Sequence, residues 1–358
     1  MEGLICGKKI LITGGTGSLG QALVEKILAY QPEVVRIYSR DEAKQYDMQH
    51  TLGGHGKVRF LLGDVRDGDR LRRAMEGIDM VFHTAALKHV PSCEYNPFEA
   101  VKTNILGTQN VIDAALEFNV ERVIYTSSDK SISPTNTMGS TKLVAERLIS
   151  AADYHKGTRR TLFASVRFGN VMGSRGSVIP LFRQQILQGG PVTVTVPEMT
   201  RFMMTLRDAV NLTLAAARQV IGGEVFVLKM PVVRVQDLAE VLIEEFAPLC
   251  GRKAEDIGIK YIGLRPGEKM YEELMTGEEA RQAVEFPRMF AVPPAFRGKR
   301  YEYDGGRPAG QRAYSSEQIK VLGREELRRL LWQEGLLERR QAMAFNLFEA
   351  AAGLERKE

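Results

Sequence analysis

Residues 9–30 read KILITGGTGSLGQALVEKILAY. Lys9–Thr13 is a run of Ile, Leu and Thr that suits a buried strand, and Gln21–Tyr30 spaces its apolar residues along one helical face. Between them Gly14, Gly17 and Gly20 form a GxxGxxG pattern that also carries Thr16, Ser18 and Leu19. Glycines in that setting permit a tight turn, a backbone close enough to touch a pyrophosphate, and a helix packed hard against its strand, with the phosphates at the helix N-terminus. Strand, glycine turn and helix in this order predict a dinucleotide-binding α/β fold.

The next apolar run, Val34–Tyr38, ends in Ser39, Arg40 and Asp41. An acidic residue at that strand end ordinarily accepts hydrogen bonds from the ribose of NAD, whereas Ser39 and Arg40 standing first favour the 2′-phosphate of NADP; Asp41 keeps NAD open. Val58–Leu62 leads into GDVRD, which brings Asp64 and Val65 to the adenine end. Met80–Thr84 leads into AALKHVP, where Ala85 and Ala86 let the backbone pass close to a cofactor. Lys88 and His89 then project from the carboxyl end of the strand, where open α/β sheets bind their ligands. His89 reads equally well as a packed loop residue. Residues 98–118 predict one long amphipathic helix carrying Asn104, returning to a fifth strand, Arg122–Thr126. Alternating strands and helices without an internal repeat specify a Rossmann doubly wound parallel sheet.

The fifth strand delivers Ser127, Ser128, Asp129 and Lys130 to the edge of the expected cofactor cleft, and a helix from Met138 to His155 puts Met138 and Lys142 on one face. In such folds a Tyr four residues before the Lys normally supplies the acid/base, and a thioether cannot move a proton. Met138 therefore means lost chemistry, or chemistry moved onto other residues. After the strand Thr161–Arg167 the stretch 168–182, FGNVMGSRGSVIPLF, is rich in Gly and Ser and suits a diphosphate. It contains Asn170, Arg175, Ser177 and Val178. Arg201 in PEMTRFMMT, and Arg265 and Glu268 in LRPGEKMYEE, stand in loop-like settings; three such arginines favour an anionic substrate. The expected division is a Rossmann domain over 1–170, a smaller interleaved substrate domain over 171–332, and a helical tail over 333–358. Residues 297–310 read as a loop or arm.

At 358 residues the chain can bury a substantial core, and 44% hydrophobic with 26% charged residues is the balance of a soluble globular protein. No apolar run is long enough to span a membrane, and the N-terminus lacks a signal peptide's apolar region, so the expected location is the cytoplasm. The net charge of +5 is spread among alternating acidic and basic residues, which argues against nucleic acid. Cys6, Cys93 and Cys250 are widely spaced and the five His are scattered, so neither a disulfide framework nor a metal site is expected.

Taken together, ITGGTGSLG, SRDEAKQ, GDVRD, AALKHVPSCEYNPFEAVKTNILGT, SSDKSISPTNTMGSTK, RFGNVMGSRGSVIPLF, MTRF and LRPGEKMYEEL resemble, in order, the extended short-chain dehydrogenase/reductases, and more narrowly the UDP-N-acetylglucosamine 4,6-dehydratases of bacterial polysaccharide biosynthesis. AALKHVP, SSDK and LRPGEK are the most specific of these, and the resemblance covers about residues 8–330. It implies tightly bound NADP, or NAD, recycled within each turnover, a UDP-N-acetylglucosamine substrate and a homo-oligomer, dimer or hexamer. It further implies that Asp129 protonates the departing carbon 6 hydroxyl and that Lys130 takes the carbon 5 proton. Lys142 would hold the nicotinamide ribose. For the carbon 4 hydroxyl proton two acceptors stay open: a water held by Lys142 with Ser127 or Ser128, or Asp129 serving twice. The rival readings are a UDP-hexosamine 4-epimerase and a non-catalytic dinucleotide-binding protein.

Overall fold

The computed structural model describes residues 1–295 and 301–337. The chain divides into two compact units, each drawn from separated stretches of sequence. Residues 1–169, 206–230 and 273–315 make the first, and 170–205, 231–272 and the stretch from 316 onward make the second.

A ten-stranded sheet forms the first unit. Its strands β1 (Lys9–Thr13), β2 (Val34–Ser39), β3 (Val58–Leu62), β4 (Met80–His83), β5 (Arg122–Thr126) and β6 (Leu162–Arg167) run parallel in the order β3-β2-β1-β4-β5-β6. Val225–Leu228 continues the sheet parallel to β6, and Met289–Val292 and Val284–Glu285 add antiparallel strands beyond it. The order reverses between β1 and β4, which makes a crevice at their carboxyl ends. Strands β4, β5 and β6 are buried along almost their whole length, as continuous apolar runs are when helices cover both faces of a sheet. Leu11, Val81, Val123 and Phe163 pack with Ile112, Ala115, Ala145 and Ile149 of the flanking helices.

Several expected boundaries move by one residue: β2 reaches Ser39, β4 ends at His83, β6 starts at Leu162, and the helix after β5 is Thr137–His155. A larger correction concerns residues 98–118. Instead of one regular helix the chain forms Pro97–Ala100, a π-helical turn at Val101–Leu106, and Gly107–Glu117. Gly107 explains the site of the break, because a Cβ there would lie 2.7 Å from Cγ2 of Val65, and Thr108 Oγ1 donates to the Asn104 carbonyl at 2.7 Å. The assignment of 171–332 to one domain is corrected as well. Residues 206–230 and 273–315 belong to the first unit because they supply four further strands and the helix Leu206–Gln219 to its sheet.

The second unit is smaller, with a three-stranded sheet of Asn170–Val171, Thr200–Met204 and Val232–Arg234, and a parallel pair, Val192–Val194 with Ile259–Tyr261. Helices Val178–Gln188, Val235–Leu249 and Arg324–Gln333 close over Ile179, Phe182, Val194, Leu242, Phe246 and Leu331. Of the expected tail, residues 338–358 lie outside the described residues, as do 296–300, which include 297–300 of the arm. Residues 307–308 of that arm form a short edge strand. No helix among the described residues is long and apolar enough to cross a membrane, and no group of His, Cys, Asp and Glu among them is arranged to hold a metal.

Candidate active site

The glycine turn sits at the reversal of strand order. Gly14 has φ of +67°, and a Cβ there would meet the Ala85 backbone at 2.7 Å; one on Gly20 would meet Gly14 O at 2.6 Å. Only bare glycine lets this turn lie against the Ala85–Ala86 loop and its own helix so closely. The helix Ser18–Leu28 starts at Gly17 with no side-chain cap hydrogen bond, and a helix N-terminus at a glycine turn is the setting that receives a phosphate. These features fit a dinucleotide pyrophosphate. Thr16 is buried and shares a 2.7 Å hydrogen bond with Ser39 at the end of β2.

Beyond that strand end Arg40 is half-exposed and 3.6 Å from Asp64. Asp64 is more committed than the sequence suggests, since Arg66 donates to it from its backbone at 3.0 Å and from Nη2 at 2.7 Å. Burial opposes ionisation, but these bonds and the Arg66 and Arg40 charges hold the Asp64 carboxyl below the usual carboxylate range. The Val65 side chain is core, and Asp41 caps the helix Glu42–Thr51 through the Lys44 amide at 3.0 Å.

The centre of the site is the turn after β5. Ser127 N donates to Val166 O at 2.7 Å and Asp129 N to Phe168 O at 3.0 Å, which pins the turn to the end of β6. Asp129 is 1% exposed. Its Oδ1 accepts from Lys130 Nζ at 3.0 Å and from Ser128 Oγ at 2.8 Å, while Oδ2 is buried without a hydrogen-bond partner. One carboxylate oxygen is thus engaged and the other is left for a further donor or proton. Ser127 Oγ donates to Ser131 Oγ at 3.4 Å.

Asn136 caps the next helix by accepting from the Gly139 amide at 2.8 Å. Met138 is 3% exposed and packs with Cys93, Ala100, Leu87 and Val90, so the thioether belongs to an apolar cluster. Lys142 is buried too. Its Nζ donates to Thr126 O at 2.8 Å and lies 4.7 Å from the Tyr125 ring centroid. Burial pushes its pKa down to about 7, against the opposing pull of Glu146. Asn104, from the π-helical turn, accepts from Leu87 N at 2.8 Å and donates to Leu87 O at 3.0 Å and Thr141 Oγ1 at 3.0 Å. It therefore staples the Ala85–Leu87 loop to the helix of Met138 and Lys142. Lys88 and His89 follow that loop and are exposed, with burial and the Lys88 charge keeping the His89 ring neutral to lower pH than usual.

In the second unit Asn170 lies on the short strand Asn170–Val171, and Arg175 is exposed in the turn ahead of the helix Val178–Gln188. Ser177 is that helix's N-cap, with its Oγ buried and unmatched, and Val178 packs against the core. Arg201 departs from expectation. It lies on the strand Thr200–Met204, largely buried, and donates to Thr200 O and Lys269 O at 2.8 Å and to Met270 O at 3.3 Å. Backbone carbonyls of the LRPGEKM segment thus occupy the guanidinium that the loop reading left for substrate. Arg265 is exposed at the start of a tight turn in which Glu268 N donates to Arg265 O at 3.0 Å and Gly267 supplies φ of +78°.

Residue reading missed a second layer. His83 is fully buried, linking Thr13 Oγ1 at 2.6 Å to Thr108 Oγ1 at 3.1 Å, and Arg167 is fully buried between Glu146 and Glu279. The signals were present: an Arg closing the apolar strand LFASVR, and a Glu four residues after Lys142 on one helix face.

The family model described as polysaccharide biosynthesis protein matches residues 10–294. The chain is 42% identical over 293 residues to a UDP-N-acetylglucosamine 4,6-dehydratase (inverting) of Campylobacter jejuni, covering 81% of this chain and 84% of that one. It is 41% identical over 332 residues to a UDP-glucose 4-epimerase of Rickettsia typhi, covering 90% and 95%. The X-ray structure of Pen from Bacillus thuringiensis superposes with a TM-score of 0.87 at 52% identity, covering 93% of this chain and 99% of Pen.

Proposed function

Because the chain belongs to the polysaccharide biosynthesis family, within the extended short-chain dehydrogenase/reductase group of nucleotide-sugar dehydratases and epimerases, we propose that it is a 4,6-dehydratase converting UDP-N-acetylglucosamine to a UDP-4-keto-6-deoxy-N-acetylhexosamine. The observation that carries this reading is the Asp129–Lys130 pair, 3.0 Å apart, with Asp129 Oδ2 buried and unmatched. Losing the carbon 6 hydroxyl requires an acid for the leaving oxygen and a base for the carbon 5 proton. Epimerisation at carbon 4 requires neither.

A proton passing from the Lys130 ammonium to Asp129 would create both agents at once, a neutral amine and a carboxylic acid. Lys130 would then take the carbon 5 proton, and Asp129 would protonate the departing hydroxyl from Oδ2. When bound, the dinucleotide, NADP or NAD, supplies hydride removal at carbon 4 and its return at carbon 6, without net consumption. Lys142 would hold the ribose, and the proton of the carbon 4 hydroxyl would leave through a water held by Lys142 with Ser127 or Ser128, or through Asp129. Asn170, Arg175, Ser177, Val178, Arg265 and Glu268 would take the UDP moiety, and Lys88 and His89 would contact the substrate. Arg201 acts by shaping the LRPGEKM segment.

The test is direct. Incubation with UDP-N-acetylglucosamine yields a product lighter by one water with no net change in nicotinamide absorbance. An isomeric product of unchanged mass would replace this reading with 4-epimerase, the activity named for the Rickettsia relative. Binding without turnover would leave a dinucleotide-binding protein that has lost its chemistry.

A further inference from the structure

The first unit buries one dense charge cluster that the steps above do not use. Arg167, at the end of β6, directs all of its guanidinium N–H groups into it. Nε donates to Glu146 Oε2 at 3.2 Å and Nη2 to Glu146 Oε1; Nη1 donates to Leu274 O at 2.8 Å and Glu279 Oε2 at 3.0 Å, and Nη2 also to Glu279 Oε1 at 3.1 Å. Glu279 in turn accepts from Thr276 N at 3.0 Å. Glu146 lies 3.4 Å from Ser131 Oγ, whose hydroxyl donates to Ser128 O at 2.7 Å. Two carboxylates therefore face one guanidinium at side-chain exposures of 0%, 0% and 14%. Left so, the cluster would keep a net negative charge where ions are expensive.

Two further cations act on it: Arg147 on Glu279, and Lys142, one helical turn before Glu146 on the same buried face, on Glu146. The other groups that act on Lys142 are His83 on β4, Cys93 on the helix Val90–Tyr95, and Tyr125 with the Thr126 carbonyl on β5. Burial holds His83 and Tyr125 neutral and pushes the Cys93 thiol up, which leaves Glu146 as the carboxylate among them.

We propose that Glu146 is a positioning residue of the reaction, holding Lys142 in its charged form as the fourth member of the Arg167–Glu146–Glu279 cluster. The link from Lys142 to turnover rests on the functional reading above. The charge coupling does not. It is measured on the full-length protein labelled with 13C at lysine Cε, the Lys142 signal being the one lost in Lys142→Arg. In Glu146→Gln the titration midpoint of Lys142 falls by about one unit or more, the scale of removing an opposite charge. Equal midpoints in wild type and Glu146→Gln overturn the proposal. Should Glu146→Gln fail to fold, an unshifted midpoint in Glu146→Met, which keeps the length of the side chain without its charge, does the same. The pH profile of hydride transfer to the bound nicotinamide moves its Lys142 limb in the same direction whichever product forms. Product mass then reports separately on the dehydratase reading, so the two can fail independently.

Discussion

At the scale of single residues the site turns on which groups can carry a proton. Met138 is packed among apolar side chains, while Asp129 keeps one oxygen unmatched beside the Lys130 ammonium. Lys130→Ala and Asp129→Asn should each lower turnover by roughly 10²-fold or more, the usual worth of a positioned acid or base, while UDP-sugar binding measured by calorimetry persists. Met138→Tyr should bring no gain of orders of magnitude, and a gain of that size would return the chemistry to position 138. Lys142 makes a further prediction through linkage. Its native value of about 7 lies below its ordinary 10.5, so between these limits the unfolded chain binds more protons than the native one. Stability from this group therefore rises with pH across that window. The melting temperature of wild type relative to Lys142→Met should increase from pH 7 to 10, and a flat difference would show that Lys142 is not buried with its charge disfavoured.

At the scale of elements the site is made by close approaches that side-chain chemistry alone does not advertise. Gly139, in the first turn of the helix Thr137–His155, is the clearest case: a Cβ there would collide with the carbonyl oxygen of Lys130. Bare glycine lets the Asp129–Lys130 turn rest on the helix that carries Lys142. Gly139→Ala must push the Lys130 backbone aside, and displacement of a reacting group costs rate steeply. Its kcat should fall by roughly 10²-fold with KM little changed, read in steady-state assays; equal losses in KM and kcat would place the damage in binding instead. The π-helical turn at Val101–Leu106 plays a comparable part by presenting Asn104 to both Leu87 and Thr141. Apolar periodicity announced a helix there, and it could not announce the extra residue in its turn.

For the molecule as a whole, the first unit is closed by segments distant in sequence. Arg167 reaches Glu146, Leu274 and Glu279 across 107 residues or more for the latter two. Removing the guanidinium leaves two buried carboxylates uncompensated, so Arg167→Met should cost about 3–5 kcal/mol in urea unfolding. Replacing Glu146 and Glu279 by Leu and Lys142 by Met in the same protein should recover most of that loss, because an apolar cluster of similar volume carries no desolvation penalty. A cost unchanged by the combined replacement would mean the cluster acts through packing alone.

The amino-acid sequence by itself determined the class of fold and the place of the glycine turn, and it put forward Asp129, Lys130, Met138 and Lys142 as candidates. Strand and helix periodicity, glycine spacing and charged residues at strand ends are local properties, written within a few turns of chain. Tertiary structure alone decided that 206–230 and 273–315 complete the first unit, that Arg201 donates to the carbonyls of Lys269 and Met270, and that Arg167 is shared by Glu146 and Glu279. Those outcomes depend on which distant groups share a buried space, and desolvation there fixes how each charge is partnered.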